Sequence, residues 1–164
     1  MVTVRLNEPT SGLASDMQGF FAYASFDSTD ILRLCTASEV SNIPGMTKQR
    51  VAQLKVWLED YGLSLKGRRE PLLVAAHNVY HDTNAVPLAL MGVRVAGRFQ
   101  EDIRGLVRHL NYSKRTKLQN PDTYVNYGDI QRLGLGFLRR NGCSDELIHQ
   151  IELQLHELDL IATN

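Results

Sequence analysis

Apolar positions in the 164-residue chain recur mostly at helical spacing. Val51, Leu54, Trp57 and Leu58 recur at helical spacing, Thr47 stands where an N-cap belongs, and Gly62 follows where a left-handed residue ends a helix. Both ends and the apolar face therefore predict a helix between them. Ile31, Leu32, Leu34 and Cys35 mark one face of a helical stretch beginning at Thr29, closed by the turn Ser41-Asn42-Ile43-Pro44-Gly45. Phe99, Ile103, Leu106, Val107 and Leu110 form another stripe, with Arg104 and Arg108 on a different face of the same helix. A last pair is predicted from about Tyr127 to Arg139 and from Asp145 to Leu158, with Ser144 capping the second.

The intervening segments are less regular. Before Ser28, the breakers Pro9, Gly12 and Gly19 and the aromatic cluster Phe20, Phe21, Tyr23 and Phe26 predict a short helix with loops. Residues 63–71 read as a connection and 72–80 as a mostly apolar helix. The run Val86 to Met91 fits either a buried helix starting at Pro87 or a strand, and 111–126 is polar, basic and loop-like. The expected fold class is all-α: small helical bundles, with residues 1–70 as a first domain, 71–110 as a connector or part of a second domain, and 111–164 as a second, degenerate unit.

Sliding the chain on itself by 97 positions (142 minus 45) lays Gly45, Met46 and Thr47 on Gly142, Cys143 and Ser144. Val51, Leu54 and Leu58 then fall on Ile148, Ile151 and Leu155, and Val40 on Phe137. This alignment predicts a duplicated pair of helices joined by a glycine turn. Glycine permits the sharp turn, and the helix that follows offers unpaired amides and a positive dipole end to an anion, most naturally a phosphate. In the first copy Lys48, Arg50 and Lys55 add positive charge, and Arg68 and Arg69 extend the patch. In the second copy, Asp145 and Glu146 suit the dipole but repel a phosphate, so the two copies are expected to differ in role.

Charge balance narrows the picture. Eighteen basic and eighteen acidic residues cancel, so any nucleic-acid contact must be a local patch. Two distant cysteines form neither a disulfide framework nor a paired-thiolate zinc motif, which fits a reducing cytoplasm. No run of about 20 apolar residues is present and the first residues lack a signal-peptide core, so neither a membrane span nor export is expected. His77 and His81, with Asp82 alongside, have a helical metal-ligand spacing, but two ligands make no site and no metal is expected. Nucleophile elbow, phosphate-loop and dinucleotide fingerprints are absent, so neither enzymatic activity nor a cofactor is expected. The basic run Arg94, Arg98, Arg104, Arg108, Lys114, Arg115 and Lys117 reads either as a solvated helix face or as a second phosphate-tracking surface, with Tyr112 available for stacking.

The stretch Ile43-Pro44-Gly45-Met46-Thr47-Lys48-Gln49-Arg50-Val51 resembles the helix-hairpin-helix signature of DNA repair and recombination proteins, with Thr47 in place of its usual second glycine. A longer stretch, from about Ser38 to the tail Gly62-Leu63-Ser64-Leu65, is similar to the end of the C-terminal domain of the alpha chain of bacterial RNA polymerase. Tyr127-Gly128-Asp129-Ile130 followed by Leu135 to Ile151 is similar to the same domain, and the two stretches cover under half of the chain. The resemblance implies a SAM-like, alpha C-terminal domain-like fold that binds double-stranded DNA in its minor groove and meets transcription factors. It places the family's hairpin contacts on Gly45, Thr47, Gln49 and Arg50.

The resulting expectation is a non-enzymatic, transcription-associated DNA-binding protein, with Gly45, Thr47, Lys48, Gln49, Arg50, Lys55, Arg68 and Arg69 at the nucleic acid. One alternative is an interaction module or mimic that binds RNA polymerase or a transcription factor. Another is a repair or recombination accessory factor. The oligomeric state stays open, a homodimer included.

Overall fold

The computed structural model describes residues 3–95, 97–117 and 125–163. Among them the regular structure is helical, and extended pairing is confined to isolated bridges such as Thr36 with Lys66 and Pro87 with Asn126. None of these helices is long and apolar enough to cross a membrane. The chain divides into two units, Met1–Arg69 and Glu70–Asn164.

The first unit holds α1 (Ser15–Ala24), α2 (Thr29–Leu32), α3 (Ala37–Ser41) and α4 (Lys48–Asp60). Helix α4 begins at Thr47, whose hydroxyl accepts from the Arg50 amide at 3.1 Å. It ends in a Schellman arrangement: the Gly62 amide donates to Glu59 O and the Leu63 amide to Leu58 O. Its buried face, Val51, Leu54, Trp57 and Leu58, joins Phe21, Ile31 and Leu32 in the core. Burial of each large aliphatic side chain contributes about 2 kcal/mol. Trp57 Nε1 and the Tyr61 hydroxyl both donate to Ser11 O, tying α4 to the segment before α1. After α4 the chain returns, and the Lys66 amide donates to Cys35 O at 2.8 Å, at the junction of α2 and α3.

The second unit holds α5 (Leu72–Val79), α6 (Met91–Arg94), α7 (Gln100–Lys117), α8 (Tyr127–Arg140) and α9 (Asp145–Glu157). Of the two readings of residues 86–91, the strand does not form; a single 3-10 turn, Leu88–Leu90, leads from Pro87 into α6. Helix α5 stops at Val79 and His81 is left-handed (φ 61°), so His77 and His81 share no helix face. The stretch read as a loop from residue 111 is helical as far as Lys117, so α7 runs through residue 110, where the sequence suggests a domain boundary. The polarity there misleads because Asn111 is buried and its Oδ1 accepts from the Val125 amide at 2.6 Å. Residues 118–124, part of that loop reading, lie outside the described residues.

The register shift seen in the sequence recurs in the fold. Both bounds of α9 lie 97 positions beyond those of α4 (145 minus 48, 157 minus 60), and Ser144 caps α9 as Thr47 caps α4. Buried Val51, Leu54, Trp57 and Leu58 match buried Ile148, Ile151, Gln154 and Leu155. Left-handed residues bracket both helices: Gly45 and Gly62 in one, Gly142 and Asp159 in the other. The returning tail also repeats. Thr163, 97 positions after Lys66 (163 minus 66), accepts from the Leu135 amide at 2.8 Å and donates to Gln131 O at 3.3 Å.

The preceding helices do not match as expected. Val40 is fully buried, but Phe137 is only half-buried and Leu138 fills the core instead. The turns explain the difference: α3 ends at Ser41, well before Lys48, whereas α8 runs to Arg140 and reaches Asp145 through a tight Schellman turn in which the Cys143 amide donates to Leu138 O.

Candidate nucleic-acid interface

Between α3 and α4 the chain passes through buried Ile43 and then Pro44 to Gly45, which is exposed with φ 89°. A side chain at Gly45 is disfavoured twice, by that left-handed φ and by Phe20, whose Cε2 would lie 3.2 Å from an added Cβ. The corner is therefore backed by α1 while its outer face meets solvent. Met46 N donates to Ile43 O at 2.9 Å and closes the turn.

The first turn of α4 leaves part of its backbone unpaired. Arg50 N is taken by the Thr47 hydroxyl and Val51 N by Thr47 O, whereas the amides of Lys48 and Gln49 donate to no acceptor among the described residues. These amides lie at the positive end of a 13-residue helix with no acidic residue in its first turn. The Lys48 and Gln49 side chains are exposed.

Arg50 occupies a different position from the one its charge suggests. Its Nη1 donates to Gly45 O at 3.0 Å, its Nη2 lies 3.8 Å from Asp16, and its guanidinium stacks 5.5 Å from the centroid of the Phe20 ring. These contacts make it a brace of the turn. Asp16 and Phe20 complete the brace, and no local sequence signal connects either of them with residue 50. Lys55 is exposed on the same side of α4 as Lys48, two turns on, while Arg68 and Arg69 are exposed on the segment that follows the returning tail. Lys55 also lines a groove of about 410 Å³ with Thr36, Ser38, Glu59, Ser64 and Lys66. The structure thus gathers Gly45, Thr47, Lys48, Gln49 and Arg50 at one corner and sets Lys55 in a neighbouring groove.

The matching corner in the second unit has opposite electrostatics. Gly142 is left-handed (φ 87°) and Ser144 accepts from the Leu147 amide, but Asp145 and Glu146 occupy the first turn of α9. Arg139 lies 3.7 Å from Asp145, and Glu146 lies 3.3 Å from Arg98. Beside this corner a groove of about 350 Å³ is lined by Glu101, Asp102, His109 and Cys143. Burial, and then the charge of Asp102, push the Cys143 thiol above its ordinary pKa, which disfavours the nucleophilic thiolate.

Within the basic run, several of the described side chains are matched by carboxylates. Arg94, nearly buried, pairs with Glu157 at 3.6 Å; Arg104 pairs with Glu101, and Lys114 with Asp129 at 2.6 Å. The side chains of Arg115 and Lys117 lie outside those described. Among the described residues no three His, Cys, Asp or Glu side chains come together as a metal site. No protein-family model matches this chain, and neither does any curated protein or solved structure.

Proposed function

We propose that the corner between α3 and α4 is a helix-hairpin-helix that docks the phosphate backbone of double-stranded DNA, in a protein associated with transcription. The observation that carries the reading is the start of α4: an exposed glycine corner, two unoccupied amides at Lys48 and Gln49, and an exposed Lys48 with no acid in the turn. Gly45 and Thr47 form the approach surface. Arg50 holds the turn's shape, so its role at the nucleic acid is to keep the amides aimed outward. Contacts of this kind are independent of base identity and weaken with salt.

An anisotropy titration of a labelled DNA duplex at two salt concentrations tests the reading. Binding is expected to weaken as salt rises and to drop about tenfold in Lys48→Glu, with unchanged circular dichroism. Undiminished affinity in that variant refutes the assignment.

A second reading, a module that contacts RNA polymerase or a transcription factor, is favoured by an apolar groove of about 480 Å³ in the second unit. Leu110, Val125, Leu133 and Phe137 line it. Retention of purified polymerase on the immobilised chain, lost in Leu133→Asp, is the outcome that this reading requires.

A further inference from the structure

The groove beside α4 is the cavity in which unengaged polar groups of the first unit converge. It is walled by the start of α3, the exposed side of α4 and the tail that returns to Cys35. Lys55 forms no ion pair among the described residues, and the side-chain hydroxyls of Ser38 and Ser64 make no hydrogen bond there. The Thr36 hydroxyl is already engaged by the Glu39 amide, so it closes the α3 end of the groove without serving a ligand. An ammonium and two hydroxyls facing one concavity suit a tetrahedral oxyanion, which accepts several hydrogen bonds at once. The one carboxylate in the lining, Glu59, opposes such a guest.

We infer that this groove receives a second phosphate of the same nucleic-acid strand that docks at the start of α4, so that the ligand is a polynucleotide backbone and not an isolated phosphate. The inference rests on the function proposed above. Seven residues separate Lys48 from Lys55, which is about 10 Å along the helix. That span is well beyond the 3.4 Å axial advance between successive nucleotides of a B-form strand, so the two lysines are far enough apart to meet different phosphates of one backbone. Lys55 and Lys48 then neutralise separate phosphates and contribute independently to the salt dependence.

The test is the same titration on the full chain, with labelled duplex as probe, across a series of salt concentrations. Lys55→Gln is expected to weaken binding about threefold and to lower the slope of log affinity against log salt by about 0.9, with Lys48→Gln adding a further decrement of the same size. Glu59→Gln is expected to tighten binding two- to threefold. That change is opposite in sign to any effect of partial unfolding. If Lys48→Gln lowers the slope while Lys55→Gln and Glu59→Gln leave slope and affinity as in the wild type, the groove is not occupied and this inference falls, although the α4 corner stands. If the wild-type chain binds no duplex, both fall.

Discussion

The two glycine corners of this chain are built on one plan and finished differently. Each places a left-handed glycine before a hydroxyl-capped helix of thirteen residues, and each helix ends in a left-handed residue from which the tail turns back. At the first corner the leading turn of α4 is bare and Lys48 is exposed. At the second, Asp145 and Glu146 fill the leading turn of α9 and are matched by Arg139 and Arg98. The scaffold depends on the buried face and the caps, which both copies keep. The exposed charges of the leading turns lie outside that shared plan, and the two copies do not have them in common. A fold repeat is thus weak evidence for a repeat of function.

The largest effect that separates the two units is expected at Gly134. It has φ 83° inside α8, and an added Cβ would lie 2.6 Å from Thr163 O. Gly134→Ala is expected to destabilise the second unit by about 3 kcal/mol or more, read from urea denaturation. The matching position in the first unit is Ala37, at the start of α3, so Ala37→Gly is expected to cost only about 1 kcal/mol.

Next comes the electrostatic contrast. Lys48→Glu is expected to reduce duplex affinity about tenfold, roughly 1.4 kcal/mol, while charge reversal at Asp145 changes it by less than about twofold. Equal and opposite effects of the two substitutions would mean that both corners touch DNA, and the contrast between them would fail. The shared features predict symmetry: Thr47→Ala and Ser144→Ala are each expected to cost about 1 kcal/mol, because each removes one N-cap hydrogen bond.

The smallest effect concerns pH and the first unit alone. Burial, reinforced by Asp30, raises the pKa of Asp27, and the residue's own backbone and Arg5 only partly oppose it. The folded state therefore favours the protonated carboxyl. That stabilisation is complete below the ordinary value of 3.8 and is lost as pH rises through the folded-state value. Asp27→Asn is expected to raise the urea midpoint at pH 7 and to differ little from the wild type near pH 3.

Much of the scaffold is legible along the chain, because its signals are local. Thr47, Gly62 and the spacing of Val51, Leu54 and Leu58 define α4 without reference to any distant residue. The 97-residue shift exposes the second copy in the same way, through Gly142, Ser144 and Ile148. Polarity is a poorer guide, because it marks loops and buried polar residues alike. Residues 111–117 continue α7 although they read as polar, and Asn111 among them is buried as the acceptor for the Val125 amide; a buried polar residue with a partner carries no periodic signature. The kink at Gly134 is invisible in the sequence for a related reason: a glycine within a helical pattern is common, and only the returning Thr163 gives this one its purpose.

The order of residues by itself determined the helical class, the caps and terminators of α4 and α9, and the opposite charge of their first turns. Helix spacing, side-chain capping and charge are properties of neighbours in sequence, within about one or two turns. Tertiary structure alone decided that Arg50 braces its own corner through Gly45, Asp16 and Phe20, that Arg94 and Lys114 are matched by carboxylates of other helices, and that Lys55 shares a groove with Ser38 and Ser64. A cation's availability depends on which acceptors the folded chain brings within a few ångströms of it, and in most of these cases those acceptors come from other parts of the chain.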